Sequence, residues 1–401
     1  MRSQRASKDP RPTAKLTSLS DTIRAEGLGW LIRRIRHRTP ISLPGRFIHH
    51  QLRRFIGILL AIPRSIFRQF GEPEAINSDT LYAFFDLQVA SITYDAGWFA
   101  AAADRMRRQK NLARIHFVIV PGSKDGFREE RAAYNSVVDT ATRLWRLHNV
   151  VLPILTLTPA YSGFSLLPKR DAVHSLRAIA GNRVYPPDYE PGLPVAHLPI
   201  ELLQSSPRQD EEIGILRSPV QAMRYIERWK APRLSGRKLI TITLRNYAFM
   251  PARNSNTEAW VAFARRLDST KYLPLFVFDT ESTLDPLPDI FSGLEVFHEA
   301  SWNVGLRMAL YESSFINLGV NNGPLFMCAL NARTRLLIFK IITPSVPQTT
   351  EELMSQLGFE IGGQLPFATS LQRLVWEDDT VETIEREFVK LVHQIMKSET
   401  P

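Results

Sequence analysis

Residues 315–330 read FINLGVNNGPLFMCAL: a short apolar run, a break at Gly319, Asn321, Asn322 and Gly323, then an apolar helix opening at Pro324. A run of four to five apolar residues bounded by turn signals reads as a buried strand. Proline suits the first turn of the helix that follows. The same grammar recurs upstream in residues 239–256, LITITLRNYAFMPARNSN. There a β-branched strand, Leu239–Leu244, leads through a long loop, 245–254, to a helix over 257–267. Strands over 273–278, 294–297 and 336–339 and helices over 219–230, 303–312 and 381–397 complete an alternating half.

Working toward the N-terminus, the alternation continues less sharply. Strands are expected over 81–87, 115–120, 150–157 and 183–185, with helices over 97–109, 128–147 and 172–180. Prolines crowd 186–219, which reads as linker and surface loops. Strands alternating with amphipathic helices imply parallel sheets. The expected fold class is therefore α/β, two Rossmann-like doubly wound domains facing a cleft, at 79–215 and 216–401.

The chain has 401 residues and a formal charge of +10. Residues 1–70 hold 15 Lys+Arg against three acids, and the remaining 331 hold 35 basic and 37 acidic side chains. The charge thus belongs to an appendage, and a nucleic-acid-binding body, whose basic patch should persist in the folded part, is not expected. Residues 1–27 read as a disordered basic tail and 28–78 as basic amphipathic helices. The uncharged stretch 55–63 is too short to cross a bilayer, which takes ~20 apolar residues. These helices suit either an anionic membrane interface or a covering for the globular body. The expected location is cytoplasmic, with peripheral attachment at the inner membrane face as the sharper form of that reading. The single cysteine excludes an intramolecular disulfide framework and a multi-cysteine zinc site.

No P-loop, no G-x-G-x-x-G after a strand, no G-x-S-x-G and no H-E-x-x-H occurs. No metal site and no resident cofactor is expected. In open α/β sheets ligands bind beyond the carboxyl ends of the strands, so polar groups there are the candidates. Arg245 and Arg253 flank a helix start where Asn254 is a suitable cap, and backbone N–H groups with guanidinium suit phosphate oxygens. Arg245 equally suits a structural ion pair with Asp268 or Asp279. Asp279 suits sugar or ribose hydroxyls, or a turn. Asn321, Asn322 and Gly323 suit a ligand loop, or a tight strand-to-helix turn.

On these residues the stretch 240–330 resembles the donor-binding domain of GT-B-fold glycosyltransferases, similar in element order to fucosyltransferase-type enzymes. The resemblance implies that Arg245 contacts a donor diphosphate and that Asp279, Asn321 and Asn322 line the donor. Where that family usually has His-x-Arg-Arg, this chain has Thr243-Leu244-Arg245-Asn246, and Arg253 is the candidate second arginine. The implied activity is metal-independent transfer of a sugar from a nucleotide-sugar to a glycan or lipid-linked acceptor. Its base is expected from the first half: Asp95 foremost, with Glu129 and Asp125 as alternatives. Two other readings share these features: a non-catalytic scaffold tethered by its tail, and a sugar-nucleotide epimerase.

Overall fold

The computed structural model describes residues 78–399 except 131, 188, 195, 197–199, 204–212 and 281–285. The expectations for the basic segment 1–77 lie outside the described residues, as does Glu281. From Ser78 onward the chain is one compact unit.

Two all-parallel sheets organise it. The first holds β1 (Thr80–Asp86), β2 (Arg114–Val120), β3 (Tyr161–Leu166) and β4 (Val184–Tyr185) in the order β3-β2-β1-β4. The second holds β5 (Lys238–Thr243), β6 (Tyr272–Val277), β7 (Glu295–Val296), β8 (Ile316–Val320), β9 (Leu336–Phe339) and β10 (Gln372–Leu374). Their order is β7-β6-β5-β8-β9-β10, the doubly wound arrangement in which strand order reverses between β5 and β8. All five residues of β8 are buried, and all of β5 but Lys238. Helices cover both faces of such a sheet, so its strands are continuously apolar rather than alternating. The two Rossmann-like sheets agree with the fold class expected from sequence.

The halves are fused rather than loosely linked. Helix α1 (Ala96–Gln109) follows β1 and buries its first nine residues, AGWFAAAAD. Such a helix is apolar all round and needs partners on every side. It packs under its own sheet and, across the seam, against helix α7 (Gly323–Ala329) of the second half. Trp98 lies 5.5 Å from Phe326 and 5.9 Å from Phe367, ring to ring. A Cβ on Gly97 would sit 3.3 Å from Leu330. One apolar core thus runs from β1 through α1 to β9.

One expected strand is corrected. Residues 150–157, VVLPILTL, belong to helix α2 (140–156), which passes through a π turn at Leu147–Val151. A short apolar run does not distinguish buried helix from buried strand, and Pro153, at the start of the final α-helical stretch, argued against a central strand. The strand is β3, whose residues alternate half-buried and exposed and include Gly163. The three-residue β10 also escaped notice.

At the carboxyl edge of the first sheet one ion pair pins four loops. Asp86, 4% exposed, takes both terminal nitrogens of Arg170 at 2.7 Å, the Tyr189 hydroxyl at 2.6 Å and the Gln88 N–H at 2.9 Å. Arg170 also donates to the Pro121 and Pro191 carbonyls. Hydrogen bonding to Asp86 raises the Arg170 pKa, and burial with the same carboxylate raises that of Tyr189. Breaking a buried pair from one side leaves its partner uncompensated, so Asp86→Ala is expected to destabilise the protein by about 3 kcal/mol in urea unfolding. A loss under about 1 kcal/mol would show that the four loops are held by packing alone.

Candidate functional site

The site is built where β5 and β8 end side by side. Helices α5 (Thr257–Arg266) and α6 (Val304–Ser313) flank it, and α7 begins at it. Gly319 lets β8 lie against β5, since a Cβ there would sit 2.4 Å from the Thr243 carbonyl oxygen. Its role is strand packing.

Arg245, 7% exposed, turns its guanidinium into its own loop. Nη2 donates to the Phe249 carbonyl at 2.7 Å, and Nη1 to the Met250 carbonyl at 3.1 Å and to Asn254 Oδ1. Burial holds its pKa below the ordinary arginine value, partly offset by Asp279. Asn254 also accepts from the Tyr247 N–H, so it braces this loop instead of capping α5. The cap is Asn256, whose side chain accepts from the Ala259 N–H. A carboxylate stands at this helix end. The Asp379 carboxylate accepts from the Asn256 N–H at 2.7 Å and from Trp260 Nε1 at 2.8 Å.

Arg253 is differently placed. It is half-buried, and among the described residues its side chain makes one hydrogen bond, from Nη2 to the Asn321 carbonyl at 3.2 Å. Among the described residues no carboxylate forms an ion pair with it. Burial, then repulsion from Arg245, pulls its pKa down to about 10, and Asp95 offsets this only in part. Arg253, Arg245, Asp95 and Asn321 therefore share one neighbourhood drawn from both halves.

The loop at β8 supplies the other wall. Asn321 donates from Nδ2 to the Ile341 carbonyl at 2.8 Å, a structural tie. Asn322, 6% exposed, caps α7 by accepting from the Leu325 N–H at 3.0 Å, and its buried Nδ2 has no partner among the described residues. A buried amide hydrogen without an acceptor is costly and marks a group awaiting one. Gly323 is covered by Tyr94 of the first half: a Cβ there would lie 2.6 Å from the tyrosine's own Cβ. Asp95, the next residue, is exposed and accepts from the Thr93 and Ser91 hydroxyls at 2.8 and 3.0 Å.

Asp279 accepts from the Asn246 N–H at 2.9 Å. Burial raises its pKa, and Arg307, Arg245 and Arg146 oppose that rise. Glu129 stands apart, with its side chain 81% exposed and paired with Lys124 at 3.4 Å; Asp125 is exposed in the same loop.

Sequence reading missed four contributors. Arg307, 1% exposed, donates to the carbonyls of Ala300 and Phe278. Its signal was a charge on the apolar stripe of α6, beside Val304, Met308 and Tyr311. Arg146 reaches across the seam to the Tyr247 hydroxyl at 3.0 Å. Tyr94 and Asp379 carried no local signal, because only the tertiary fold brings them here. Among the described residues no group of three or more His, Cys, Asp and Glu side chains is placed to hold a metal ion, and no helix is long and apolar enough to cross a membrane.

No protein-family model and no curated protein matches the chain. Among solved structures it is similar to a family 9 glycosyl transferase from Veillonella parvula DSM 2008, at 9% identity and TM-score 0.49, covering 80% of this chain and 99% of that one. The E. coli ADP-heptose lps heptosyltransferase II gives 11% identity and TM-score 0.47, covering 79% and 99%. E. coli heptosyltransferase WaaC with ADP-2-deoxy-2-fluoro heptose gives 11% and 0.35, covering 77% and 99%. These are glycosyltransferases; a fucosyltransferase is not among them.

Proposed function

We propose that the protein is a glycosyltransferase that takes a sugar from a nucleotide-sugar donor and passes it to a glycan or lipid-linked acceptor. The observation that carries this reading is Arg253, a half-buried guanidinium without a carboxylate partner among the described residues. It donates to the carbonyl of Asn321, the neighbour of Asn322, whose buried amide nitrogen has no partner among the described residues, at the point where strand order reverses. An arginine and an amide hydrogen at these two strand ends suit the oxygens of a diphosphate. In the transfer, charge grows on the leaving diphosphate, and groups fixed in advance to meet it lower the barrier most. Arg253 and Asn322 fill that role. Arg245 holds the loop that carries Arg253, and Asp279 braces the start of that loop through the Asn246 N–H.

Asp95, from the opposite half and close enough to Arg253 to offset its depressed pKa, is the proposed base for the acceptor hydroxyl. Asp95→Asn should lower turnover by about 10²–10⁴-fold while donor binding measured by calorimetry persists. Turnover within a few-fold of the parent would remove Asp95 from that role. The donor itself is tested by titrating UDP-, GDP-, CMP- and ADP-sugars, with ADP-heptose among the last because it is named for one of the similar structures. Silence across all of them would favour a scaffold without turnover, a reading to which the loop-bound Arg245 also lends itself. Attachment to an anionic membrane through residues 1–77 is part of the proposal. Flotation with anionic vesicles should recover the full chain and weaken as salt rises.

A further inference from the structure

A second space lies on the seam between the halves, lined by none of the strand-end residues above. It is a cavity of about 310 Å³ whose walls include Asn149, Thr156 and Leu157 from the first half and Pro219, Trp302 and Asn303 from the second. Its place follows from two successive residues of α2. Arg146 meets Tyr247 of the candidate site, and Trp145, one residue earlier, meets Trp302 edge to face at 5.2 Å. On the other side, Ser301 accepts from Thr280, the residue after Asp279, and Trp302 follows it. The cavity therefore borders the same seam as the strand-end residues.

Its chemistry is specific. Trp302 is 41% exposed, a large apolar surface left in water at the mouth of a concave site. None of the nine lining residues carries a charge. Asn149 donates from Nδ2 to the Trp145 carbonyl and Asn303 accepts the Leu306 N–H, which leaves Asn149 Oδ1 as an acceptor and Asn303 Nδ2 as a donor without partners in the described chain. An indole, an amide acceptor and an amide donor suit a ring with an apolar C–H face and hydroxyls around its rim. They offer an anion no counter-charge. The volume is at the small end of the ~300–1,000 Å³ range of ligand sites, which limits the occupant to one ring.

We propose that this cavity binds one neutral pyranose unit of the acceptor, a step that rests on the transferase reading for the word acceptor. The test uses the full chain and a panel of neutral methyl glycosides of glucose, galactose, mannose and N-acetylglucosamine, followed by tryptophan fluorescence and calorimetry. At least one should bind saturably in the millimolar range, and Trp302→Ala and Asn149→Ala should each weaken it at least about tenfold. Both variants should still unfold cooperatively, at a somewhat lower melting temperature, and keep the parent affinity for the donor. No saturable binding up to roughly 50 mM, weaker than any useful site, overturns the proposal, as does undiminished binding by Trp302→Ala. Glycoside binding that persists when no nucleotide-sugar binds would leave the saccharide site standing and remove the transferase reading.

Discussion

Replacing Arg253 with methionine is expected to weaken nucleotide-sugar binding by about 10- to 100-fold, the range for a charge-assisted hydrogen bond to an anion. At the same time it should raise the melting temperature of the ligand-free protein. The two effects have one cause. The pKa of Arg253 lies near 10, below the ordinary arginine value, because burial and Arg245 disfavour its charge, and Asp95 compensates only in part. A cation whose folded-state pKa is depressed is held less firmly than in the unfolded chain. Its contribution to stability therefore rises with pH between about 10 and the ordinary arginine value, and at neutral pH it is unfavourable. Removing the charge relieves that term while the aliphatic stem is kept, and a bound diphosphate would relieve it in the parent. Paired scanning calorimetry with and without donor reads both signs. A methionine variant that melts lower than the parent, or binds donor as well, would show that Arg253 serves the fold and does not hold the donor.

The sequence made the sheet of the second half legible because its strands are buried on both faces and each ends in an abrupt polar change: Leu244 to Arg245, Phe278 to Asp279, Val320 to Asn321. The first half was less legible where burial and length coincide for helix and strand, as in 150–157, and where an edge strand alternates around Gly163. Candidate residues near the β5–β8 reversal could be named, but their division of labour could not. Arg245 and Arg253 are eight residues apart in one loop, and nothing in their types tells which is tied down. That is decided by the Phe249 and Met250 carbonyls, which turn back on Arg245, and by Asp379, more than a hundred residues later, which bonds the Asn256 N–H at the start of the next helix. Tyr94 over Gly323 is equally a product of the fold, since it requires the two halves to be in contact.

Arg245→Ala is expected to be the most damaging substitution in the second half, and to act through the loop. Three hydrogen bonds from one buried guanidinium close residues 245–254, and two of them satisfy backbone carbonyls. Each bond to a charged group contributes about 1.5–3 kcal/mol. Because the three share one side chain, their loss is not additive, and a net destabilisation of about 2–4 kcal/mol is expected in urea unfolding. The loop is also the strap between the halves: its Tyr247 meets Arg146 and its Phe249 meets Tyr134 at 5.3 Å, ring to ring. Once loosened, it no longer holds Arg253 against the Asn321 carbonyl, so donor binding should fall with stability. Lysine cannot reproduce a planar fork that serves three acceptors, so Arg245→Lys should recover little of either. If Arg245 were instead a direct phosphate ligand, lysine would restore much of the binding and alanine would leave unfolding nearly unchanged. Urea midpoints beside donor affinities for the two variants decide between a residue that grips the donor and one that positions the residue that does.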